Sequence, residues 1–398
     1  MDGLKVRVLS GGANQSGLRD YNERLLLSML QRSGPLAGGD LARQTGLSPQ
    51  TVSVISRKLE KDGLLKKGAA VRGKVGKPSR PLQLNEDGVF SFGLKVGRRS
   101  AELLLLDFVG NVRKQIQTVY PYPLPKTVFE FLQNGISSIE SDMTPQQRQR
   151  LCGIGIAAPF EIWKWDNFVG AEDQEFQAWK DVSFVSEIAK FCDHPVSVLN
   201  DGTASCRAEH LYGRGREFQD YAYFFVGAFV GGGVVLNDTV FEGNQGNAGA
   251  FGSLRSVDPK GEGRQLVDVA SLYLLEEQLV DAKLNAKILW QQPQDWSALS
   301  HLVEPWVHNT AEELAKAALS ICSVIDFEAI LIDGAFPKKV RQELVQCMKK
   351  ALVKHDARGL LIPKVESGSI GEKARSIGAA SSPIFAQFFL NANAGLSS

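Results

Sequence analysis

The stretch LARQTGLSPQTVSVISRKLEKDGLL, residues 41–65, decides the fold of the N-terminal part of the chain. Its first residues belong to a short helix that ends at Gly46, because glycine tolerates the left-handed backbone of a tight turn. A second helix begins where Ser48 can cap the N-terminus and Pro49 can take the first helical position, and it stops at Gly63. Two helices joined by such a turn predict a helix-turn-helix.

The second helix of this pair has two faces of different chemistry. Three apolar residues recur at helical spacing on its inner face: Val52, Ile55 and Leu59. The opposite face carries hydrogen-bonding and cationic side chains, namely Gln50, Thr51, Ser53, Arg57, Lys58 and Lys61. A surface of this kind enters the major groove of DNA. The alternative is a plain three-helix structural bundle.

The sequence on either side completes this unit. Residues Asn22–Arg32 repeat apolar side chains at helical spacing, and Ser33-Gly34-Pro35 then ends that helix. The run KKGAAVRGKVGKPSRPLQL, residues 66–84, predicts two short strands around a Gly- and Lys-rich tip, which is a β-hairpin wing. Its cations would contact phosphates or lie across a minor groove: Lys66, Lys67, Arg72, Lys74, Lys77 and Arg80. A solvated loop is the alternative interpretation.

The charge of the chain is unevenly distributed. Residues 1–85 contain 15 Lys and Arg against 6 Asp and Glu, an excess of nine positive charges in a chain whose net charge is +1, which leaves the remainder at −8. This asymmetry indicates that only the N-terminal part contacts a polyanion such as double-stranded DNA. The basic composition ends at the polar turn Asn85–Gly88. We therefore predict one domain over 1–85 and another over 86–398.

The second region alternates short apolar strands with helices. The strands are FSFGLKV, AELLLLDF, CGIGIAAP and VSVLND in its first half, then YAYFFVGAFVGGGVVLN and AILIDGA in its second. Alternation of this type predicts α/β lobes with sheets covered by helices. We place the lobes at roughly 86–200 and 201–380, with a cleft between them. A C-terminal helix is expected to pack back on the first lobe.

Several segments together carry a resemblance to a known family. They are GGANQSGLRDYNERLLLSML, the helix-turn-helix, VLNDGTASCRAEHLYG, GGGVVLNDTVFEGNQGNAGAFG and SIGAAS. The chain resembles the ROK family of bacterial repressors and sugar kinases, and its N-terminal domain matches the repressor branch. The resemblance implies an actin-like, hexokinase-like fold in two lobes. It also implies a homodimer or homotetramer that binds paired operator half-sites and regulates the metabolism of a sugar or sugar derivative.

The phosphate-binding turn departs from the family's pattern. The kinases have a DxGxT-like turn at the start of the first lobe, where a carboxylate lies near the metal. The corresponding run here is KVGRRS, in which Lys95 stands in the acidic position and Arg98 and Arg99 follow. Glycine-rich segments at 230–234 and at Gly334 remain, and we interpret them as positions of close backbone packing rather than nucleotide binding. We predict no catalytic residue and no cofactor.

The sugar-binding site also lacks several of the polar residues that the family has. The resemblance implies ligand contacts from an Asn-Asp pair, kept here as Asn200 and Asp201, and Asp201 matches the family's catalytic base. Ala250 and Val267 replace two glutamates, and Ser253 replaces a histidine. Each buried hydroxyl without a partner costs roughly 1–3 kcal/mol. We therefore expect an effector other than a simple hexose, or none.

Metal and thiol chemistry are not indicated. The family's zinc loop joins that histidine to three cysteines, but the segment Ser253–Leu266 contains neither residue type, so four-coordinate zinc lacks ligands. The five cysteines form no CxxC or CxC pair, which favours buried free thiols. The most apolar stretch, Tyr223–Leu236, is short and interrupted by glycines, and it predicts no membrane span. No signal-peptide pattern begins the chain, so we expect a cytoplasmic protein.

These features predict a DNA-binding transcription regulator with a degenerate, non-catalytic sugar-kinase-like domain. Two alternatives remain open at this point. One is a sugar kinase with an unusual active site, favoured by Asp201. The other is an effector-independent scaffold whose actin-like body only pairs the DNA-binding parts.

Overall fold

The computed structural model describes residues 15–70, 80–165, 174–257, 260–291 and 294–390. Its N-terminal part, which we call the head, extends to Asn85, and the body follows. The head contains three helices and two short strands: α1 (Gln15–Ser33), α2 (Gly38–Thr45), α3 (Pro49–Lys61), β1 (Leu65–Lys67) and β2 (Leu82–Leu84). The strands pair antiparallel, Leu65 opposite Leu84, and form the base of the predicted wing. The winged helix-turn-helix is confirmed.

Helix α1 begins seven residues before the position that periodicity predicts. The segment Gln15–Tyr21 contains Gly17 and few apolar residues, so it carries no helical repeat for its first turns. The C-terminal half of α1 supplies Leu26, Leu27 and Leu30 to the interior of the head.

The first lobe of the body is built on a five-stranded sheet of order β5-β4-β3-β6-β7. Strands β3, β4 and β5 are antiparallel, whereas β6 and β7 add parallel to β3. The strands are β3 (Phe90–Val96), β4 (Ser100–Asp107), β5 (Val112–Val119), β6 (Leu151–Ala158) and β7 (Val196–Asn200). The helices between them are α4 (Pro125–Ser141), α5 (Pro145–Arg148), α6 (Gln174–Gln177) and α7 (Phe184–Ile188).

The second lobe repeats the same strand pattern in the order β10-β9-β8-β13-β14. Its strands are β8 (Tyr221–Val226), β9 (Val230–Leu236), β10 (Thr239–Phe241), β13 (Ala329–Gly334) and β14 (Lys364–Ser367), with a separate pair β11 (Arg255–Val257) and β12 (Gly263–Gln265). The remaining helices are α8 (Asp201–Tyr212), α9 (Leu272–Asp281), α10 (Ser300–Cys322), α11 (Lys338–Leu352) and α12 (Ala374–Phe388). Two sheets of one topology confirm the predicted α/β class and two-lobed actin-like architecture.

The C-terminal helix α12 lies on the sheet of the first lobe at very short range. A β-carbon on Gly155 of β6 would stand 1.7 Å from the carbonyl oxygen of Ala379. The buried Ser91 hydroxyl of β3 donates to the carbonyl of Ala380 at 2.5 Å. The glycine therefore permits the backbone of α12 to approach the sheet directly.

The head is packed against the body through a shared apolar core. Leu26 of α1 and Leu59 of α3 belong to the same buried cluster as Val89 and Phe108 of the body. The Arg150 guanidinium donates to the carbonyl of Asp62 at 3.3 Å and to that of Gly88 at 2.8 Å. This side chain therefore joins the residue after α3 to the turn that precedes the first strand of the body.

Candidate functional site

Helix α3 starts at a well-formed cap. The Ser48 hydroxyl accepts a hydrogen bond from the backbone N–H of Thr51 at 3.1 Å, and Pro49 stands at the first helical position. Gly46, at the end of α2, has a φ of 72°, in the left-handed region that a side chain would strain. The cap and the glycine together fix the direction in which α3 leaves α2.

The outer face of α3 is exposed and polar. Its inner face is buried against the other helices of the head through Val52, Ile55 and Leu59. The residues predicted for this face that it exposes to solvent are Gln50, Ser53, Arg57 and Lys61, with Thr51 half-buried. Val54 is 46% exposed and was absent from the predicted contacts, although its position one turn from Arg57 places it among them. An apolar side chain there can meet a thymine methyl group.

Several predicted DNA contacts near α3 have partners within the head or at its border. Lys58 was predicted to point outward, but its ammonium pairs with Glu23, a carboxylate of α1 that is 1% exposed. At the base of the wing, Lys66 pairs with Glu86. Arg80 is exposed at the start of the second wing strand. Three further predicted contacts lie outside the described residues: Arg72, Lys74 and Lys77.

A second candidate site is a cavity of about 700 Å³ between the two lobes of the body. Both lobes line it, and the turn after β3, the start of α8 and the glycine-rich strand β9 meet there. The lining includes both residues that the family resemblance implies as ligand contacts, Asn200 and Asp201. It also includes Arg375 of α12, which no sequence pattern indicated.

The amide of Asn200 is engaged in local structure. Its side-chain oxygen caps α8 by accepting hydrogen bonds from the backbone N–H groups of Gly202 at 2.8 Å and Thr203 at 3.4 Å. Its side-chain nitrogen donates to Asn247 at 3.2 Å. Asp201 faces the Arg375 guanidinium at 3.4 Å, and 27% of its side chain is exposed to solvent. Asp201 is therefore the member of the pair with capacity to bind a ligand.

Lys95 turns back onto its own loop. Its ammonium donates to the carbonyl of Ser100 at 3.2 Å and to the Ser100 hydroxyl at 2.8 Å. Burial lowers the pKa of Lys95 to about 7, and the positive charge of Arg375 acts in the same direction, against the carboxylates of Glu102 and Asp201. Lys95 thus places an amine, rather than a carboxylate, in a poorly solvated position near the end of β3.

The two arginines after Lys95 cross the cleft. Arg98 and Arg99 each contact Glu276 of α9 at 3.0 Å, one on each carboxylate oxygen. The Arg98 guanidinium also lies over the rings of Phe229 and Tyr273, 5.6 and 5.7 Å from their centroids. The loop that binds phosphate in a kinase here ties the first lobe to the second.

The three substituted sugar-site positions all line the cavity. Ala250 and Ser253 are exposed to it, and Val267 is 3% exposed. Across the described residues, no group of three or more His, Cys, Asp or Glu side chains is arranged to hold a metal ion. The predicted buried thiols are found at Cys152, Cys206 and Cys322, whereas Cys192 and Cys347 are only partly buried.

Comparison with known families agrees with this geometry. Residues 91–263 match the ROK family, and residues 19–66 match a family described as winged helix-turn-helix DNA-binding. The chain contains a ROK family domain. The ROK match covers the strands of the first lobe, all of α8 and the second lobe as far as β11, and the DNA-binding match covers most of α1 through to β1.

Two curated relatives are repressors by name. The xylose repressor of Bacillus subtilis (strain 168) is 25% identical over 242 residues, which cover 61% of this chain and 62% of that protein. The N-acetylglucosamine repressor of Escherichia coli O6:H1 is 24% identical over 263 residues, covering 63% of this chain and 62% of that protein. The chain thus spans less than two thirds of the length of each.

Solved structures of both ROK branches share the fold. A ROK family transcriptional regulator described as a homolog of the E. coli MLC protein has a TM-score of 0.62 at 20% identity, over 93% of this chain and 97% of that one. The ROK hexokinase from Thermus thermophilus has a TM-score of 0.51 at 21% identity, over 73% of this chain and 97% of that one. In the part of the chain that the structure describes, no helix is long and apolar enough to cross a membrane.

Proposed function

We propose that this chain is a transcription regulator that binds duplex DNA through α3 and the wing. We further propose that its ROK domain binds a sugar-like effector without transferring phosphate, and that it acts as a homodimer or homotetramer on paired half-sites. The names of the xylose and N-acetylglucosamine repressors support a role in carbohydrate metabolism. The observation that carries the proposal is the capped helix α3 with Gln50, Ser53, Val54 and Arg57 exposed on one face.

The cleft supports a role other than catalysis. Phosphoryl transfer depends on holding a metal and on offsetting the charge of the transferred group. Lys95 supplies no metal ligand, and Arg98 and Arg99 are paired with Glu276 rather than presented to a phosphate. Asp201 alone cannot position both the attacking hydroxyl and the phosphoryl group in line. These features count against the alternative of a sugar kinase with an unusual site.

DNA binding is tested by selection from a random duplex library followed by titration at several salt concentrations. We expect one enriched sequence and a steep fall of affinity as the salt concentration rises. The cationic side chains of the head neutralise DNA phosphates and thereby release the counterions condensed on the DNA. Gln50→Ala should relax base preference, whereas Arg80→Ala should reduce the salt slope by about one without changing preference. A chain that enriches no sequence and shows no salt dependence would refute the proposal.

Catalysis is tested by coupled ADP release over hexoses, pentoses, amino sugars and polyols. We expect no turnover above background. Turnover that is lost in Asp201→Asn would instead identify a kinase with a DNA-binding head. The same panel, followed by thermal melting, separates an effector-binding regulator from an effector-independent scaffold, because only the former is stabilised by a ligand.

A further inference from the structure

Two helices of the body begin in the cleft and end against the head. Asp201 is the first residue of α8, and Arg375 is the second residue of α12. Helix α8 has 12 residues and α12 has 15, so at about 1.5 Å per residue they extend for roughly 18 and 22 Å. Both therefore reach from the candidate ligand site to the surface on which α1 lies.

At the cleft, one ion pair joins the starts of the two helices. The Arg375 guanidinium lies 3.4 Å from the Asp201 carboxylate and over the Phe225 ring, 4.9 Å from its centroid. Only 8% of Arg375 is exposed. Asp201 thus has a protein cation in contact with the carboxylate that a ligand would use.

Between their ends the two helices contact each other backbone to backbone. A β-carbon on Gly378 of α12 would stand 1.7 Å from the carbonyl oxygen of Ala204 in α8. Farther along, Arg207 of α8 donates to the Ser382 hydroxyl of α12 at 3.3 Å. Contacts this close leave little room for one helix to shift along the other by side-chain rearrangement alone.

At the far end, both helices hold α1. Gln31 of α1 donates to the carbonyl of Leu211 at the end of α8, at 3.4 Å. Arg24 of α1 donates to the carbonyl of Ala386 in α12 at 2.9 Å. Just beyond α12, the N–H of Leu390 donates to the hydroxyl of Ser28, which also lies on α1, at 2.8 Å.

We propose that the Asp201–Arg375 ion pair is the switch that ties the cleft to the DNA-binding head, with α8 and α12 as the connecting element. A ligand that presents hydroxyl donors to Asp201 competes with Arg375 for the carboxylate, and the helix pair adjusts against α1. The effector part of this inference rests on the proposed function. The mechanical link between the ion pair and α1 is testable without a ligand.

The test compares amide hydrogen exchange and duplex affinity in three variants. Arg375→Met and the isosteric Asp201→Asn each remove the ion pair. Arg98→Met is the matched control. It breaks another cleft ion pair of a largely buried arginine that also lies over aromatic rings, and the partners of that arginine, Glu276, Phe229 and Tyr273, belong to neither α8 nor α12. Exchange in α10, the long helix of the second lobe, reports any general loosening of the body.

We expect Arg375→Met and Asp201→Asn to accelerate exchange in α1 and at Leu390 at least about fivefold, with α10 unchanged. The Kd for a fluorescent mixed-sequence duplex should change at least about threefold in the same two variants. The double variant should add little to either single one, because both remove the same interaction. Arg98→Met should leave α1 exchange and the duplex Kd as in the unmodified chain.

Unchanged exchange in α1 in both ion-pair variants would overturn the inference, as would an equal change in Arg98→Met. Full additivity of the two substitutions would also overturn it. Failure of the unmodified chain to bind the duplex at all would refute the proposed function instead. Hydrogen exchange would then still decide whether the ion pair is linked to α1.

Discussion

The outer face of α3 and the interlobe cleft use their polar groups in opposite ways. On α3, the side chains of Gln50 and Arg57 are exposed to solvent. In the cleft, the side chains of Asn200, Lys95 and Arg98 are engaged by neighbouring protein groups. The exposed face of α3 leaves its hydrogen-bonding groups accessible to a partner, whereas the polar groups of the cleft hold neighbouring protein segments together. The difference is that a partner can reach the polar groups of α3 directly, whereas in the cleft it must compete with existing protein contacts.

The largest expected effect tests whether the cleft charges hold the lobes together. Glu276→Gln leaves the largely buried Arg98 and the partly buried Arg99 without their carboxylate, so the free energy of unfolding should fall by about 2–4 kcal/mol. Glu277→Gln, one residue along and exposed, is the matched control and should change stability by less than about 0.5 kcal/mol. Denaturant unfolding of both variants gives the comparison. Equal stability of the Glu276→Gln and Glu277→Gln variants would mean that the ion pairs of the cleft do not stabilise the fold.

The next effect tests whether the exposed α3 groups are available to DNA. Arg57→Ala should weaken binding to a selected duplex by about 1–3 kcal/mol, since it removes one base or phosphate contact. Arg358→Ala, at an exposed site on the body, is the control. Fluorescence anisotropy measures both dissociation constants. Affinity that drops as much in the control would show that net charge rather than the α3 surface governs binding.

A third prediction uses the pH dependence of the cleft. Burial lowers the pKa of Lys95 to about 7 in the folded chain, below its value when unfolded, so the folded state binds fewer protons between those values. Stability relative to Lys95→Met should therefore rise with pH, by about 2–3 kcal/mol between pH 6 and 9. Lys338→Met, at an exposed site, should show no such trend. A stability difference that does not change with pH would show that the Lys95 ammonium is exposed to solvent.

The smallest effect concerns the cap that orients α3. Ser48→Ala leaves the N–H of Thr51 without its acceptor and should cost about 1 kcal/mol of stability. Ser53→Ala, on the exposed face of the same helix, should be nearly neutral for stability. Thermal unfolding distinguishes them, and a cost that appears equally in Ser53→Ala would argue against the cap as the source.

What the sequence could predict depended on how far apart the cooperating residues lie. The cap at Ser48, the turn at Gly46 and the apolar face of α3 are all local, and the structure has each of them. The ion pairs of Arg375 with Asp201 and of Arg98 with Glu276 join residues separated by 174 and 178 positions. Such pairs follow from the folded arrangement of two lobes and have no periodic signal.

The same limit explains two features of α3 that the sequence did not predict. Lys58 has the spacing of an outward residue, but a long side chain can bend toward a neighbouring helix, and Glu23 lies within its reach. Val54 has the spacing of a contact residue, but its apolar side chain carries no hydrogen-bonding or charge signal of DNA contact. Spacing predicts which face a residue occupies, and only the neighbouring elements determine where its end group lies.

The Arg150 guanidinium, which bonds the end of α3 and the start of the body, has a consequence for operator architecture. Because α3 is fixed to the body, two copies that pair through their bodies would hold their two α3 helices at one separation and one rotation about the DNA axis. The number of base pairs between half-sites would then be dictated by the body, while the bases within each half-site are dictated by the head. Exchanging heads between relatives would therefore change the base sequence recognised in each half-site but keep the spacing between the half-sites.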